Sequence, residues 1–330
     1  MLLVSGDVAR RTGGNLYDRR MERACRRAGV PLRIVSVAST AQARSALARA
    51  KPRVVVIDSI ALAFAAPLVS WIRDELGARL VALMHMPTVA RGARGVLRAA
   101  HRVVAVSPDL ARTLVGGGVP RSRLAVIPPG SDGIPRLARG KRRARDRGQL
   151  RVLAVANWSS PKGIVALVSA VARVPDVRLD LVGDTGAGAY RDRVYALIRS
   201  HGLEKRVSVH GALGESALAR RYADADVFAL PTEREGYGIV FAEALMRGLP
   251  VVAADIASVR AIVGDAGVFV PPRRVRPLAA ALRLMTDPWL RRRLAKAARV
   301  RARALPRWTT SERTFVALVR NEIGTAVSGP

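Results

Sequence analysis

The sequence predicts an α/β protein built from two doubly wound, parallel-sheet domains, and three observations predict it. Short apolar runs rich in β-branched residues recur along the chain, with segments of helical period between many of them. The runs are continuous rather than alternating, so both faces of each strand are expected to be buried, as in parallel sheets. The series also breaks once and restarts, and 330 residues suffice for two domains that each bury a sizeable core.

The N-terminal Met1-Leu-Leu-Val4 enters a strand-like run at once. Arg53-Val-Val-Val-Ile-Asp58, Leu80-Val-Ala-Leu-Met84, Val103-Val-Ala-Val106 and Leu124-Ala-Val-Ile127 continue the first series. Pro128-Pro-Gly-Ser-Asp-Gly133 then ends it in turn residues. Residues 136–147 carry seven cations and one acid without apolar periodicity, which predicts a basic linker over 136–149. The second series comprises Arg151-Val-Leu-Ala-Val155, Arg178-Leu-Asp-Leu-Val182, Val207-Ser-Val209, Val227-Phe-Ala-Leu230 and Val251-Val-Ala-Ala254. Domains are therefore expected at 1–135 and 150–305, with residues 306–330 following. No repeat of fixed period is visible.

Composition excludes several classes. A chain that is 50% hydrophobic and 25% charged is not disordered. The single Cys25 excludes an intramolecular disulfide framework and, alone, any structural zinc cluster. The longest uncharged run, residues 59–72, has 14 residues and contains Pro67, short of the ~20 a membrane-spanning helix needs. With a strand at the start there is no room for a signal peptide, so a cytoplasmic chain is expected.

The net charge is +31, from 56 cations against 25 acids, and all but five of the cations are arginines. Such a surplus points to nucleic acid or an anionic membrane, or else to a genome that writes arginine wherever a solvated cation is tolerated. Projected as a helix, Tyr17, Met21, Ala24, Cys25 and Ala28 share one face, and Arg19, Arg20, Arg23, Arg26 and Arg27 the other. Arg91, Arg94, Arg98 and Arg102 form a second stripe, although Gly92 and Gly95 disfavour a helix there. Residues 273–303 hold eleven cations and one acid and read as a solvated surface.

Residues 231–253 carry the most chemistry. A strand ends at Leu230, Gly236-Tyr-Gly238 makes a turn, and a helical run over 239–246 points free backbone N–H groups back at that turn. Such a helix start favours anions, phosphates above all. Glu235 and Glu243 flank it. Carboxylates repel phosphate but accept hydrogen bonds from sugar and ribose hydroxyls; a dipole-favouring Glu and a solvated Glu remain the plainer alternative. Gly183-Asp-Thr-Gly-Ala-Gly188 lacks the dinucleotide spacing and reads as a loop bordering a nucleotide. Gly13-Gly14 follows the first strand and would allow positive φ and close approach to a ligand. His85 ends a strand at the carboxyl edge, where open α/β sheets bind ligands. Asp224 and Asp226 read as capping or turn residues, and no Asp, His and Cys cluster at metal-ligand spacing is visible.

On these residues the chain resembles glycosyltransferase family 4, the retaining transferases of the GT-B fold. Glu235-Gly-Tyr-Gly-Ile-Val-Phe-Ala-Glu243 is similar to the family's paired-glutamate motif. Arg247-Gly-Leu-Pro-Val-Val-Ala-Ala-Asp255 and Val263-Gly-Asp-Ala-Gly-Val-Phe-Val-Pro-Pro272 resemble the segments that follow it. Leu181-Val-Gly-Asp184, His210-Gly211 and Tyr222-Ala-Asp-Ala-Asp-Val-Phe-Ala-Leu-Pro231 fall in family order upstream, as do Gly13-Gly14, His85, Ser107 and Ile127-Pro-Pro-Gly-Ser-Asp132.

The resemblance implies two Rossmann-like domains facing a central cleft, with a C-terminal helix after Trp308 crossing back to the first. It places the nucleotide ribose on Glu243, the donor sugar on Glu235, and the diphosphate on the amides of Tyr237, Gly238 and Ile239 and on Lys162 of Ala156-Asn-Trp-Ser-Ser-Pro-Lys-Gly163. Asn157 stands where relatives usually carry an arginine. Gly14, Gly183, His210, Gly211 and Gly236 join the nucleotide-sugar set, and His85, Glu235 and Lys162 the catalytic one. No metal or other cofactor is expected, only a nucleoside-diphosphate sugar as co-substrate. The basic stripes suit an acceptor at an anionic membrane surface. Two other readings are a nucleic-acid-binding protein on a degenerate scaffold, disfavoured by the 4% aromatic content, and a GT-B epimerase.

Overall fold

The computed structural model describes residues 1–87, 92–135 and 148–327. Most of the expected linker, and Arg91 of the second basic stripe, lie outside the described residues. The chain divides into two units, Met1–Gly130 with Pro306–Pro330, and Ser131–Leu305.

In the first unit, β1 (Leu2–Val4), β2 (Ile34–Ser36), β3 (Val54–Asp58), β4 (Arg79–Met84), β5 (Arg102–Ala105) and β6 (Leu124–Val126) form one sheet. Its order is β2-β1-β3-β4-β5-β6, and every pairing is parallel. The helices are α1 (Gly13–Arg27), α2 (Thr40–Ala50), the short α3 (Leu62–Ala65), α4 (Ala93–Ala99) and α5 (Pro108–Gly116). In the second unit, β7 (Leu150–Val155), β8 (Val177–Val182), β9 (Val207–Val209), β10 (Val227–Leu230), β11 (Val251–Ala254) and β12 (Gly267–Val270) run parallel in the order β12-β11-β10-β7-β8-β9. Around them lie α6 (Ile164–Val171), α7 (Ala189–Ser200), α8 (Glu215–Asp224), α9 (Ile239–Met246), α10 (Ala257–Val263), α11 (Val275–Leu284) and α12 (Pro288–Arg303). The last helix, α13 (Trp308–Val327), belongs to the first unit.

The two parallel sheets are those the sequence predicts. The central strands are buried along their whole length, as β3, β10 and β11 show. The apolar-run series omits β2 and β12, two partly exposed edge strands, although it includes the other two edge strands, β6 and β9.

Local chemistry sets the helix starts. Thr12 caps α1 by accepting the Asn15 N–H at 3.0 Å, and Ser107 caps α5 by accepting the Leu110 N–H at 3.1 Å. Each such cap contributes about 1 kcal/mol. Tyr17 on the buried face of α1 donates to the Ile127 carbonyl at 3.0 Å, and its ring meets Phe315 of α13 edge-on at 6.3 Å. Burying a side chain like Phe315 contributes roughly 1.5–3 kcal/mol. Gly130 completes the seat of α13, since a Cβ there would collide with the Trp308 backbone.

Three sequence expectations change. Gly13 and Gly14 are not a positive-φ turn: they form the first turn of α1 with ordinary φ. Gly14 lies beside the His85 ring, which a Cβ there would meet at 3.4 Å, an ordinary contact distance. The second basic stripe is not one helix face, because α4 holds Arg94 and Arg98 while Arg102 opens β5. The outer face of α1 is only partly a free cationic surface. Arg20 and Arg27 reach Glu312 of α13 at 3.3 and 2.6 Å, and the Arg20 guanidinium sits 4.6 Å over the Trp308 ring. Arg23 and Arg26 remain exposed.

Each sheet has one topological switch point, where successive connections leave in opposite directions: between β1 and β3 in the first, and between β7 and β10 in the second. Outside the carboxyl ends of such strands an open α/β sheet forms its ligand crevice.

Candidate functional site

In the second unit the switch point brings together the loop after β7, residues 156–163, and the loop after β10, residues 231–238. Their contact is close and specific. The Glu233 N–H donates to the Pro161 carbonyl at 2.8 Å, and the buried Thr232 hydroxyl lies 3.1 Å from the same oxygen. Gly163, at φ +71°, has no space for a side chain, since a Cβ would lie 2.5 Å from the Pro231 carbonyl oxygen. This docking carries Lys162 onto Glu235, with Nζ 2.7 Å from Oε2 and both side chains partly open to solvent.

Beside this pair α9 begins. Gly238 is its N-cap at φ +94°, and a Cβ there would lie 2.8 Å from the Phe241 ring. The first-turn amides of any helix lack intrahelical acceptors and favour negative charge, so Gly238 and Ile239 open an anion-favouring end directly after Glu235 and Gly236. Tyr237 is buried, and its hydroxyl has no hydrogen-bond partner among the described residues.

Glu243 lies buried on α9, one turn in. Burial pushes its carboxyl up to about 7, against the opposing hydrogen bond from Tyr222 and the nearby Arg247. The Tyr222 hydroxyl donates to Oε2 at 2.9 Å. Tyr222, on α8, opens one of the motifs in family order, but the motif reading gave it no role at the site. A tyrosine in a helix facing a strand reads as core, and nothing in its spacing marks the carboxylate it holds.

The neighbouring strand ends carry the remaining candidates. Asn157 accepts the Asp184 N–H at 3.0 Å through Oδ1. Gly183, at φ +136°, would collide with the Ala156 carbonyl if it had a Cβ, and its N–H donates to the Gly211 carbonyl at 2.8 Å. His210 is anchored by Nε2 to Asp180 of β8 at 2.5 Å. All second-unit candidates therefore sit at the carboxyl edge of one sheet or on α9.

In the first unit the switch point gathers a second group. His85, just after β4, places Nε2 2.9 Å from Asp18 Oδ1 of α1 and 3.1 Å from Asp58 Oδ2 at the end of β3. Both carboxylates are buried. Burial alone would push the imidazole down, but Asp18 and then Asp58 outweigh it, and the pKa rises to about 10. His85 is thus held as a cation. Its ring also packs against Tyr17 at 5.3 Å, and among the described residues Nδ1 has no partner. Sequence spacing does not reveal Asp18 or Asp58, because three separate elements bring this group together. Among the described residues it is also the set whose ligand atoms, all within 4.8 Å of one another, are close enough to share a metal ion. Here the Nε2 contacts use those oxygens to hold a proton.

The geometry can be set beside known proteins. The sequence model of Glycosyltransferase Family 4 matches residues 7–132, and that of Glycosyl transferases group 1 matches residues 139–301. A D-inositol 3-phosphate glycosyltransferase of Kineococcus radiotolerans is 31% identical over 253 residues, 68% of this chain and 58% of that protein. The match thus spans less than two thirds of that relative's length. The sucrose-phosphate synthase of Thermosynechococcus elongatus superposes with a TM-score of 0.82 at 21% identity, covering 98% of each chain. Anabaena HepE in complex with UDP-glucose gives 0.76 at 19% identity, over 97% of this chain and 99% of that one. The fold is the GT-B type, and the chain belongs to the glycosyltransferases that the two sequence models describe.

Proposed function

We propose that this chain is a retaining, metal-independent glycosyltransferase that moves a sugar from a nucleoside-diphosphate sugar to an acceptor hydroxyl. The observation that carries the reading is the Lys162–Glu235 pair, 2.7 Å apart, at the switch point beside the glycine-capped start of α9. One cation for a diphosphate, one carboxylate for sugar hydroxyls and a helix start for phosphate oxygens are the three groups that a nucleotide sugar requires. Glu243 takes the ribose hydroxyls, and the relative solved with UDP-glucose supports a uridine donor.

In the reaction the bond from the sugar C1 to the diphosphate oxygen breaks and that from C1 to the acceptor oxygen forms on the same face. The acceptor proton passes to the departing diphosphate, so no enzymic nucleophile is needed. Lys162 offsets the charge that grows on the leaving group. Glu235 orients the sugar, and His85 offers its Nδ1–H to a sugar oxygen. Asn157, in place of an arginine, brings an amide without charge and leaves Lys162 as the main side-chain cation on the diphosphate. The acceptor is proposed to lie at an anionic surface, on the support of the +31 charge and the exposed Arg23 and Arg26. Among the described residues no helix is long and apolar enough to cross a membrane.

The test is a thermal-shift panel of UDP, GDP, ADP, CDP and dTDP, because a ligand that binds only the native state raises its apparent stability. One responding nucleotide, transfer that survives EDTA, and a product whose anomeric configuration by NMR matches the donor are expected. No nucleotide response together with strongly salt-dependent DNA binding would favour the nucleic-acid reading instead.

A further inference from the structure

The amino edge of the first sheet carries a collar of arginines that the proposed transfer does not use. Arg33 and Arg53 immediately precede β2 and β3, Arg79 and Arg102 open β4 and β5, and Arg123 immediately precedes β6. In the second sheet Gln149, Asp176, Arg206, Asp226, Pro250 and Ala266 immediately precede the six strands. An arginine-rich composition alone would have marked both edges.

Part of this collar walls a cavity of about 320 Å³ lined by Arg73, Arg79, Arg98, His101 and Arg123, with Ala99 and Ala100. No acid and no Phe, Tyr or Trp lines it. Glu322 of α13, buried, takes Nε of Arg79 at 2.6 Å and Nε of Arg102 at 3.0 Å, which fixes both guanidiniums by their inner nitrogens. Arg123 is oriented by donating to the Arg98 carbonyl at 2.9 Å. Among the described residues Arg73 and Arg98 meet no carboxylate. Four guanidiniums line the pocket, and the one nearby carboxylate, Glu322, is shared between Arg79 and Arg102, which lies outside the lining, so the wall keeps a surplus of positive charge.

His101 completes the donor set. Its Nδ1 accepts the Leu80 N–H at 2.9 Å, so the ring proton sits on Nε2, which is then a donor. Burial and the guanidiniums of Arg79 and Arg73 push its pKa below the ordinary histidine value.

We propose that this pocket binds a phosphate-type oxyanion, a phosphate or pyrophosphate group, at a site separate from the donor site. Guanidinium forks match phosphate oxygens, and a wall of donors recognises the oxyanion itself. The pocket has no Phe, Tyr or Trp face for a base and no carboxylate in its lining for sugar hydroxyls. It also stands apart from His85: Arg79 opens β4 and His85 follows its far end, about 20 Å away for six residues of strand.

The experiment uses the full chain and reads the His101 ring by NMR, a reporter inside the pocket. Titration with inorganic phosphate and pyrophosphate should shift its resonance saturably, whereas sodium chloride at matched ionic strength should not. Arg73→Gln with Arg98→Gln, both exposed, should weaken the response at least about tenfold, or about 1.4 kcal/mol. Arg292→Gln with Lys296→Gln, on the surface of α12, should leave it intact. Vesicles of phosphatidylcholine with and without phosphatidate distinguish the source. Pelleting that needs both phosphatidate and the two pocket arginines assigns a lipid headgroup, and no pelleting beside a retained pyrophosphate response assigns a soluble phosphate compound. A His101 resonance that ignores both phosphates, or moves equally with chloride or in the Arg73/Arg98 variant, overturns the proposal.

Discussion

The carboxyl edges of the two sheets hold charge in opposite ways. In the first, one imidazole is enclosed by two buried carboxylates at 2.9 and 3.1 Å. In the second, one lysine meets one carboxylate at 2.7 Å, with side chains 28% and 16% exposed. A buried group of this kind is a fixed device, because removing one member leaves another charged and uncompensated. A partly solvated pair is exchangeable: in the proposed function Lys162 trades Glu235 for a diphosphate while water makes up the difference. The contrast teaches that burial decides which charged partners stay fixed and which can be exchanged.

The largest expected effect falls on the exchangeable pair. Lys162→Ala should leave the fold intact, since a surface pair contributes at most about 1 kcal/mol. Its single-turnover transfer at saturating donor should fall by about 10²–10³, or roughly 3–4 kcal/mol in the transition state. A rate within about fivefold of wild type would show that another group neutralises the diphosphate.

The enclosed histidine should answer in stability instead. Asp18→Asn or Asp58→Asn should cost roughly 1–3 kcal/mol, read from urea unfolding. His85 is raised from 6.5 to about 10, so its contribution is fully present below pH 6.5 and is lost as pH rises through about 10. In either variant that alkaline loss should shrink, and the His85 titration followed by NMR should move down. An unchanged titration would break the comparison.

The smallest effect concerns Glu243, which combines burial with the proposed ribose contact. With its carboxyl raised from 4.5 to about 7, the native state holds a proton that the unfolded chain has released, so its contribution to stability declines as pH rises from 4.5 to 7. Affinity for the free nucleoside diphosphate should rise across neutrality by about 1 kcal/mol as the carboxylate forms. Calorimetry of Glu243→Gln should show that rise flattened, and an identical pH profile in the variant would remove Glu243 from the nucleotide site.

The fold was legible where the chain is buried on both faces. The apolar runs at residues 53–58 and 251–254 mark central strands buried along their length, whereas the partly exposed β2 and β12 stand outside the series. The helix after Gly238 was legible to the residue, since glycine and a long apolar stretch bracket it. Asp18 and Asp58 were not, because the group they form with His85 depends on three elements meeting. The arginines of α1 were misjudged for a related reason. A helical projection shows which residues face outward, but not that α13 lies there with Glu312 to receive Arg20 and Arg27.

The seat of α13 also bears on the order in which the protein is made. The first unit needs a helix that the ribosome delivers only after residues 131–305, which form the whole of the second unit. At about 5–20 residues per second this separates the two by roughly 9–35 s. Over that interval Tyr17, the Gly130 seat and the guanidiniums of Arg79 and Arg102 lack Phe315, Trp308 and Glu322. The second unit can close as soon as it emerges. The half synthesised first is therefore the half that finishes folding last, and the stretch of its surface under α13 is where a nascent-chain chaperone would find apolar and cationic groups together.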